Sequence, residues 1–124
     1  VSKLGKYATV LFGGMTCEAV YAVLLDSRLC LVDCIRLAGG SSNCAEVGLD
    51  SIVGCSATRR SVAAVIFHNH PDGDLTASEA DRDFVARAAE LFAMSNVEVI
   101  EHIVVAGDRF DALMGNGTLS GSRG

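Results

Sequence analysis

The run SVAAVIFHNHP at positions 61–71 is apolar for most of its length and stops abruptly at two histidines and a proline. Its length suits a strand, and its lack of polar alternation predicts burial on both faces, as for a central strand. Such a strand constrains the rest of a chain of 124 residues. Other strands must flank it, helices must cover the sheet, and its carboxyl edge is where such folds present functional groups.

The remaining segments supply those partners. From Leu4 through Tyr7, Ala8, Leu11 and Phe12 the apolar positions recur at helical spacing up to Gly13 and Gly14, which predicts a helix over 2–12. CEAVYAVLLD (17–26) and LCLVDCIRLAGG (29–40) flank the turn-forming Asp26, Ser27 and Arg28 and predict a hairpin. Residues 46–58 read as a helix through Val47, Ile52, Val53 and Cys55, although two glycines weaken the pattern. Ser78 opens a helix whose Phe84, Val85, Ala88, Leu91 and Phe92 form one apolar face. VEVIEHIVVAG (97–107) and RFDALM (109–114) read as strands. The order α, β, β, α, β, α, β, β, without an internal repeat, predicts one α/β domain over 1–124.

Composition narrows the class. Half of the residues are apolar, yet no stretch of about 18 apolar residues occurs, so no membrane span is expected. The start VSKLGKYATVLFGG lacks the order of a secretory signal and has no Met, as in a piece of a longer chain. Cys17, Cys30, Cys34, Cys44 and Cys55 are odd in number and form no CxxC pair; they read as buried free thiols in a reducing, cytoplasmic compartment. A net charge of -5 disfavours nonspecific binding of phosphate backbones, although Arg59 and Arg60 could form a local patch.

The chemistry concentrates at the end of the apolar run. Side chains two apart on a strand share a face, so His68 and His70 can converge on one ion while Asn69 points away. Asp81, one turn into the next helix, can bring a carboxylate back over the strand edge as third ligand, leaving a fourth position for water. Two imidazoles, one carboxylate and an open position describe a catalytic zinc site rather than a structural one, although iron or manganese also accept such ligands. Each piece has a plainer reading. Ser78-Glu79-Ala80-Asp81 is close to a capping box, and a His-x-His pair can be two imidazoles at a strand end. The joint arrangement of strand, His-x-His, Pro, glycine-bearing loop and helix-opening Ser and Asp favours the metal. Two glutamates precede the histidines. Glu18 begins a strand that can lie beside theirs, whereas Glu46 sits at a predicted helix start where capping suffices. Asn69 and Pro71 are expected to shape the turn, Asp72 or Asp74 to cap the loop or face solvent rather than bind metal, and His102 to be a satisfied core histidine or one that supports the ligands.

The pattern His68, His70, Ser78, Asp81 resembles the metalloprotease motif of the JAMM (MPN+/JAB) domains, and HNHP followed by GD resembles their bacterial RadC branch. CEAVYAVLLDSR and EHIVVAG are similar to strands of that branch, so the resemblance covers nearly the whole chain. It implies a three-layer α-β-α sandwich with a mixed sheet, of the cytidine deaminase-like (JAB/MPN) fold. It also implies zinc held by His68, His70 and Asp81, Glu18 as general acid/base, and Ser78 as donor to the oxyanion. The substrate implied is a peptide or protein conjugate cleaved at a peptide or isopeptide bond. The chain departs from the branch at Asp72, where Ser commonly follows HNHP, at Val47 to Asp50, which lack an Arg, and at Asp111, in the region of a late Ser. The resemblance therefore carries no substrate preference. The helix-hairpin-helix that often precedes this domain is not in this sequence.

Three other readings stand beside the hydrolase. A RadC-type DNA-repair accessory protein or metal-dependent nuclease stays open, although the contiguous letters HNH are an accidental match to nucleases in which those residues are spread over a ββα unit. A zinc nucleobase deaminase needs a Pro-Cys-x-x-Cys segment, which is absent. An interaction scaffold of the ligand-free MPN type is disfavoured by the five motif residues.

Overall fold

The computed structural model describes residues 18–39 and 45–114. The hairpin forms as expected from β1 (Ala19–Leu25) and β2 (Leu31–Gly39), which pair antiparallel. Asp26 closes its turn, its Oδ1 accepting from the Arg28 and Cys30 N–H groups at 2.9 and 3.0 Å, and Leu29 takes a left-handed φ of 62°. A two-residue β3 (Ala45–Glu46) follows, then a short α1 (Ser56–Arg59) and the histidine strand β4 (Ala63–Asn69). The long helix α2 (Glu79–Met94), β5 (Glu98–Ala106) and β6 (Arg109–Ala112) complete the described chain.

The six strands make one mixed sheet in the order β3-β2-β1-β4-β5-β6. β1 and β4 lie at its centre, antiparallel to one another, and every residue of both is buried. That burial explains their unbroken apolar runs. Val20, Ala22, Leu24, Ala64 and Ile66 pack with Val85, Ala88, Leu91 and Phe92 of α2 on one face, while Tyr21, Val23, Val65, Phe67, Ile103 and Val105 form the core of the other. α2 carries the chain from β4 to the parallel β5, the crossover a parallel pair requires. The architecture is α/β with a mixed sheet, as expected for the JAB/MPN fold.

Three expectations need correction. The helix predicted over 46–58 is instead β3, a 3-10 turn at Leu49–Ser51 and the four-residue α1. Gly48 and Gly54 separate these pieces, and Gly54 has a left-handed φ of 86° that no continuous helix tolerates. Glu46 therefore lies on an edge strand opposite Arg36 rather than at a helix start, with β2 and β1 between it and the histidine strand. The described thiols are not buried as expected: Cys30 is exposed at the hairpin turn, and Cys34 and Cys55 are half-buried. Cys17, Cys44 and the helix predicted over 2–12 lie outside the described residues. Among the described residues, no helix is long and apolar enough to cross a membrane.

Candidate metal centre

Register builds the site. β1 and β4 pair antiparallel with Val20 opposite His68, and continuing that register sets Glu18 beside His70. Alternation then puts Glu18, Val20, His68 and His70 on the face covered by α2. Asn69 points the other way and accepts from the Ala19 N–H through Oδ1 at 2.6 Å, which ties the start of β1 to the histidine strand. His70 lies just past β4, but its N–H still donates to the Val105 carbonyl at 2.7 Å, so the strand geometry persists to the second histidine. The ligand atoms of Glu18, His68 and His70 all lie within 4.8 Å of one another, a group able to hold a metal ion.

Asp81 arrives from the other side. Ser78 is the N-cap of α2 and Asp81 its third residue, and they form a full capping box: the Asp81 N–H donates to Ser78 Oγ at 3.0 Å and the Ser78 N–H to Asp81 Oδ2 at 2.9 Å. The plain reading of this pair holds, yet it does not exclude the other, because the same carboxylate reaches His70 Nε2 at 3.0 Å and His68 Nδ1 at 3.4 Å. Two carboxylates thus border the imidazole pair. Asp81 is anchored by a backbone hydrogen bond, whereas Glu18 stands exposed at the rim.

The chemistry of these contacts fits a cation. His70 Nδ1 lies 2.5 Å from the Asp74 carbonyl oxygen, an acceptor only, so this nitrogen carries a hydrogen. In the neutral ring Nε2 then presents a lone pair to Asp81 Oδ2, another acceptor. A proton or a metal ion between them resolves the clash. An imidazole fixed through its second nitrogen by a carbonyl is also how metal-binding histidines are usually oriented.

The electrostatics agree. Burial pushes the His68 imidazole below its usual range, with Asp81 opposing and His70 reinforcing that shift. Burial also pulls His70 down, but the Asp74 carbonyl and Asp81 outweigh it and leave its pKa raised. Partial burial pushes the Asp81 carboxyl up, while the Ser78 N–H and both histidines hold it below the usual carboxylate value. An ionised Asp81 beside a neutral His68 is a ligand-ready state.

Several contributors were not visible in the sequence. Asp72 and Asp74 cap the loop as expected, their Oδ1 atoms accepting from the Asp74 and Thr76 N–H groups at 3.0 and 2.8 Å, but the backbone carbonyl of Asp74 is what grips His70. Gly39 takes a φ of 63° where β2 passes β1, and a Cβ there would overlap the Glu18 carbonyl oxygen. Its place in a Gly-Gly pair signals a turn and nothing more. His102 is buried with its ring nearly parallel to that of His68, centroids 6.5 Å apart, and burial, then His68, pushes its pKa down to about 4. Its Nε2 has no hydrogen-bond partner among the described residues, so of the two roles expected for it the place against His68 fits better than that of a satisfied core histidine.

Known proteins resemble this chain over most of its length. The family model described as the RadC-like JAB domain matches residues 1–118. A UPF0758 protein of Bordetella petrii is 31% identical over 103 residues, covering 83% of this chain and 46% of its own. One from Stenotrophomonas maltophilia is 31% identical over 117 residues, 94% of this chain and 50% of its own. A third, from Vibrio cholerae, is 31% identical over 99 residues, 80% of this chain and 63% of its own. The chain spans about half the length of most of these relatives, and their names specify no activity.

Proposed function

Since the chain belongs to the RadC-like JAB domain family, we propose that it is a zinc-dependent hydrolase of the JAMM type, cleaving a peptide or isopeptide bond. The observation that carries this reading is the convergence of Glu18, His68 and His70 within 4.8 Å, with Asp81 against both imidazoles. His68, His70 and Asp81 hold the metal, the anchored carboxylate being better suited to ligation than the exposed one. Zinc, when bound, supplies Lewis-acid polarisation and lowers the pKa of a coordinated water to about 7. Glu18, exposed at the rim, would accept the proton of the attacking water and return it to the leaving amine. Ser78 accepts from the Asp81 N–H through its oxygen, and its own O–H, which helps to hold the Asp81 carboxyl low, is the donor that would turn to the developing oxyanion.

The test is metal analysis of the purified protein together with hydrolysis of an isopeptide-linked conjugate. His68→Ala, His70→Ala and Asp81→Ala should each lose zinc. Glu18→Gln should keep zinc and lose about 10²–10⁴-fold in rate. Full activity in Glu18→Gln overturns its role, and retained zinc in all three ligand variants overturns the site.

A further inference from the structure

A cavity of about 290 Å³ opens directly beside the histidine pair, between the start of β1, the end of β2 and the first turns of α2. One end is shared with the metal centre, since His68 and Asp81 form its wall and Glu18 its rim. The rest is apolar: Val20 and Ala38 come from the sheet, and Phe84 and Val85 from the helix. Gly39 completes the sheet side and admits no side chain. The volume lies at the bottom of the range for ligand pockets, enough for one side chain and a little main chain.

The lining fixes what can enter. Among the described residues that line the cavity none is Lys or Arg, and its two charged groups are carboxylates. Away from the shared wall, where the metal's charge would act, a phosphodiester or an acidic side chain would meet only apolar side chains. A lysine side chain would meet apolar walls. An aliphatic side chain satisfies both constraints, and the shared wall puts it next to the reacting bond.

We propose that this cavity is the subsite that sets specificity, taking one aliphatic side chain of the size of Val, Leu or Met from a peptide substrate at the residue adjoining the scissile bond. The assignment rests on the peptide-hydrolase reading above and narrows it. Val20, Ala38, Phe84 and Val85 are then specificity residues and have no part in the chemistry.

Binding, rather than turnover, tests it. Capped peptides Gly-X-Gly with X as Leu, Gly, Glu or Lys, and a short single-stranded oligonucleotide, are titrated into the purified, zinc-supplemented protein while the methyl signals of Val20, Ala38 and Val85 are followed by NMR. The Leu peptide should bind about tenfold or more tightly than the Gly and Glu peptides, with shifts centred on those methyl groups. Ala38→Leu fills the cavity and should remove the preference while zinc content and melting temperature stay close to the parent. Should that variant not fold, Val85→Ala serves instead: it enlarges the cavity and should shift the preference from Val toward Phe. Equal binding of the Leu and Gly peptides, or larger methyl shifts with the oligonucleotide, overturns the proposal. Because binding and cleavage are read separately, a Leu preference in a protein that hydrolyses nothing would retain the subsite and sink the hydrolase, and hydrolysis without a preference would do the reverse.

Discussion

At the scale of single residues, two positions outside the ligand set border it and carry testable consequences. Gly39 combines a left-handed φ of 63° with backbone approach so close that a Cβ would overlap the Glu18 carbonyl. Gly39→Ala therefore carries a conformational penalty of about 1–3 kcal/mol and displaces Glu18. A lower melting temperature, unchanged zinc content and a fall in hydrolysis are expected together; activity at the parental level would show that Glu18 tolerates the shift. His102 is the second. Burial, reinforced by His68, keeps it neutral down to about pH 4, against 6.5 in the unfolded chain. Between those values the unfolded state binds the proton first, so stability falls as pH drops from about 6.5 to about 4 and the loss levels off below. The gap is worth about 3 kcal/mol. His68, also lowered, acts in the same direction and His70 in the opposite one. The difference between parent and His102→Gln in denaturant titrations across that window isolates the His102 part, and parallel curves would refute it. The motif residues were legible from type and spacing. Gly39 and the Asp74 carbonyl were not, because their roles depend on strands meeting in space.

At the scale of elements, the legible parts are those whose apolar pattern is long. β4, α2 and the hairpin follow from their sequences because burial on one or both faces dictates many positions at once. β3 has two residues and exists through pairing with Ile35 and Arg36, which no local pattern encodes. Its neighbours up to Arg59 fail to merge into one helix because the glycines break it. α2 shows how one element serves two ends. Its face of Val85, Ala88, Leu91 and Phe92 fixes it to the sheet, and Phe92→Ala should cost about 3–5 kcal/mol in denaturant unfolding. Its first turn presents Asp81 to the histidines through the cap on Ser78. Ser78→Ala should therefore lose about 1 kcal/mol of stability and, in protein that is still folded, about 10²–10³-fold in kcat. Ser78→Thr keeps the capping oxygen and should recover the stability. A kcat loss no larger than the folded fraction explains would leave Ser78 a cap alone.

At the scale of the whole molecule, the strand order brings chemistry from three separated stretches of chain to one sheet edge. β1 runs antiparallel to β4, so its beginning meets the end of β4, and α2 starts where that end leaves off. Residues at 18, 68–70 and 78–81 become neighbours only in the folded state. An unfolded chain holds no such group, so metal binding and folding must be linked: zinc that binds the native state alone stabilises it by about 2.7 kcal/mol at a free concentration one hundred times its Kd. For a domain of this size the melting temperature should rise on the order of 10 °C. The metal-free protein has a specific reason to respond, since the facing acceptors of His70 and Asp81 lie 3.0 Å apart and a cation relieves their repulsion. His68→Ala, His70→Ala and Asp81→Ala should abolish the rise, Glu18→Gln should keep most of it, and chelator should reverse it in the parent. A rise that persists in all three ligand variants would mean that zinc binds elsewhere, and the convergence of the strand ends would then serve the fold without serving a metal.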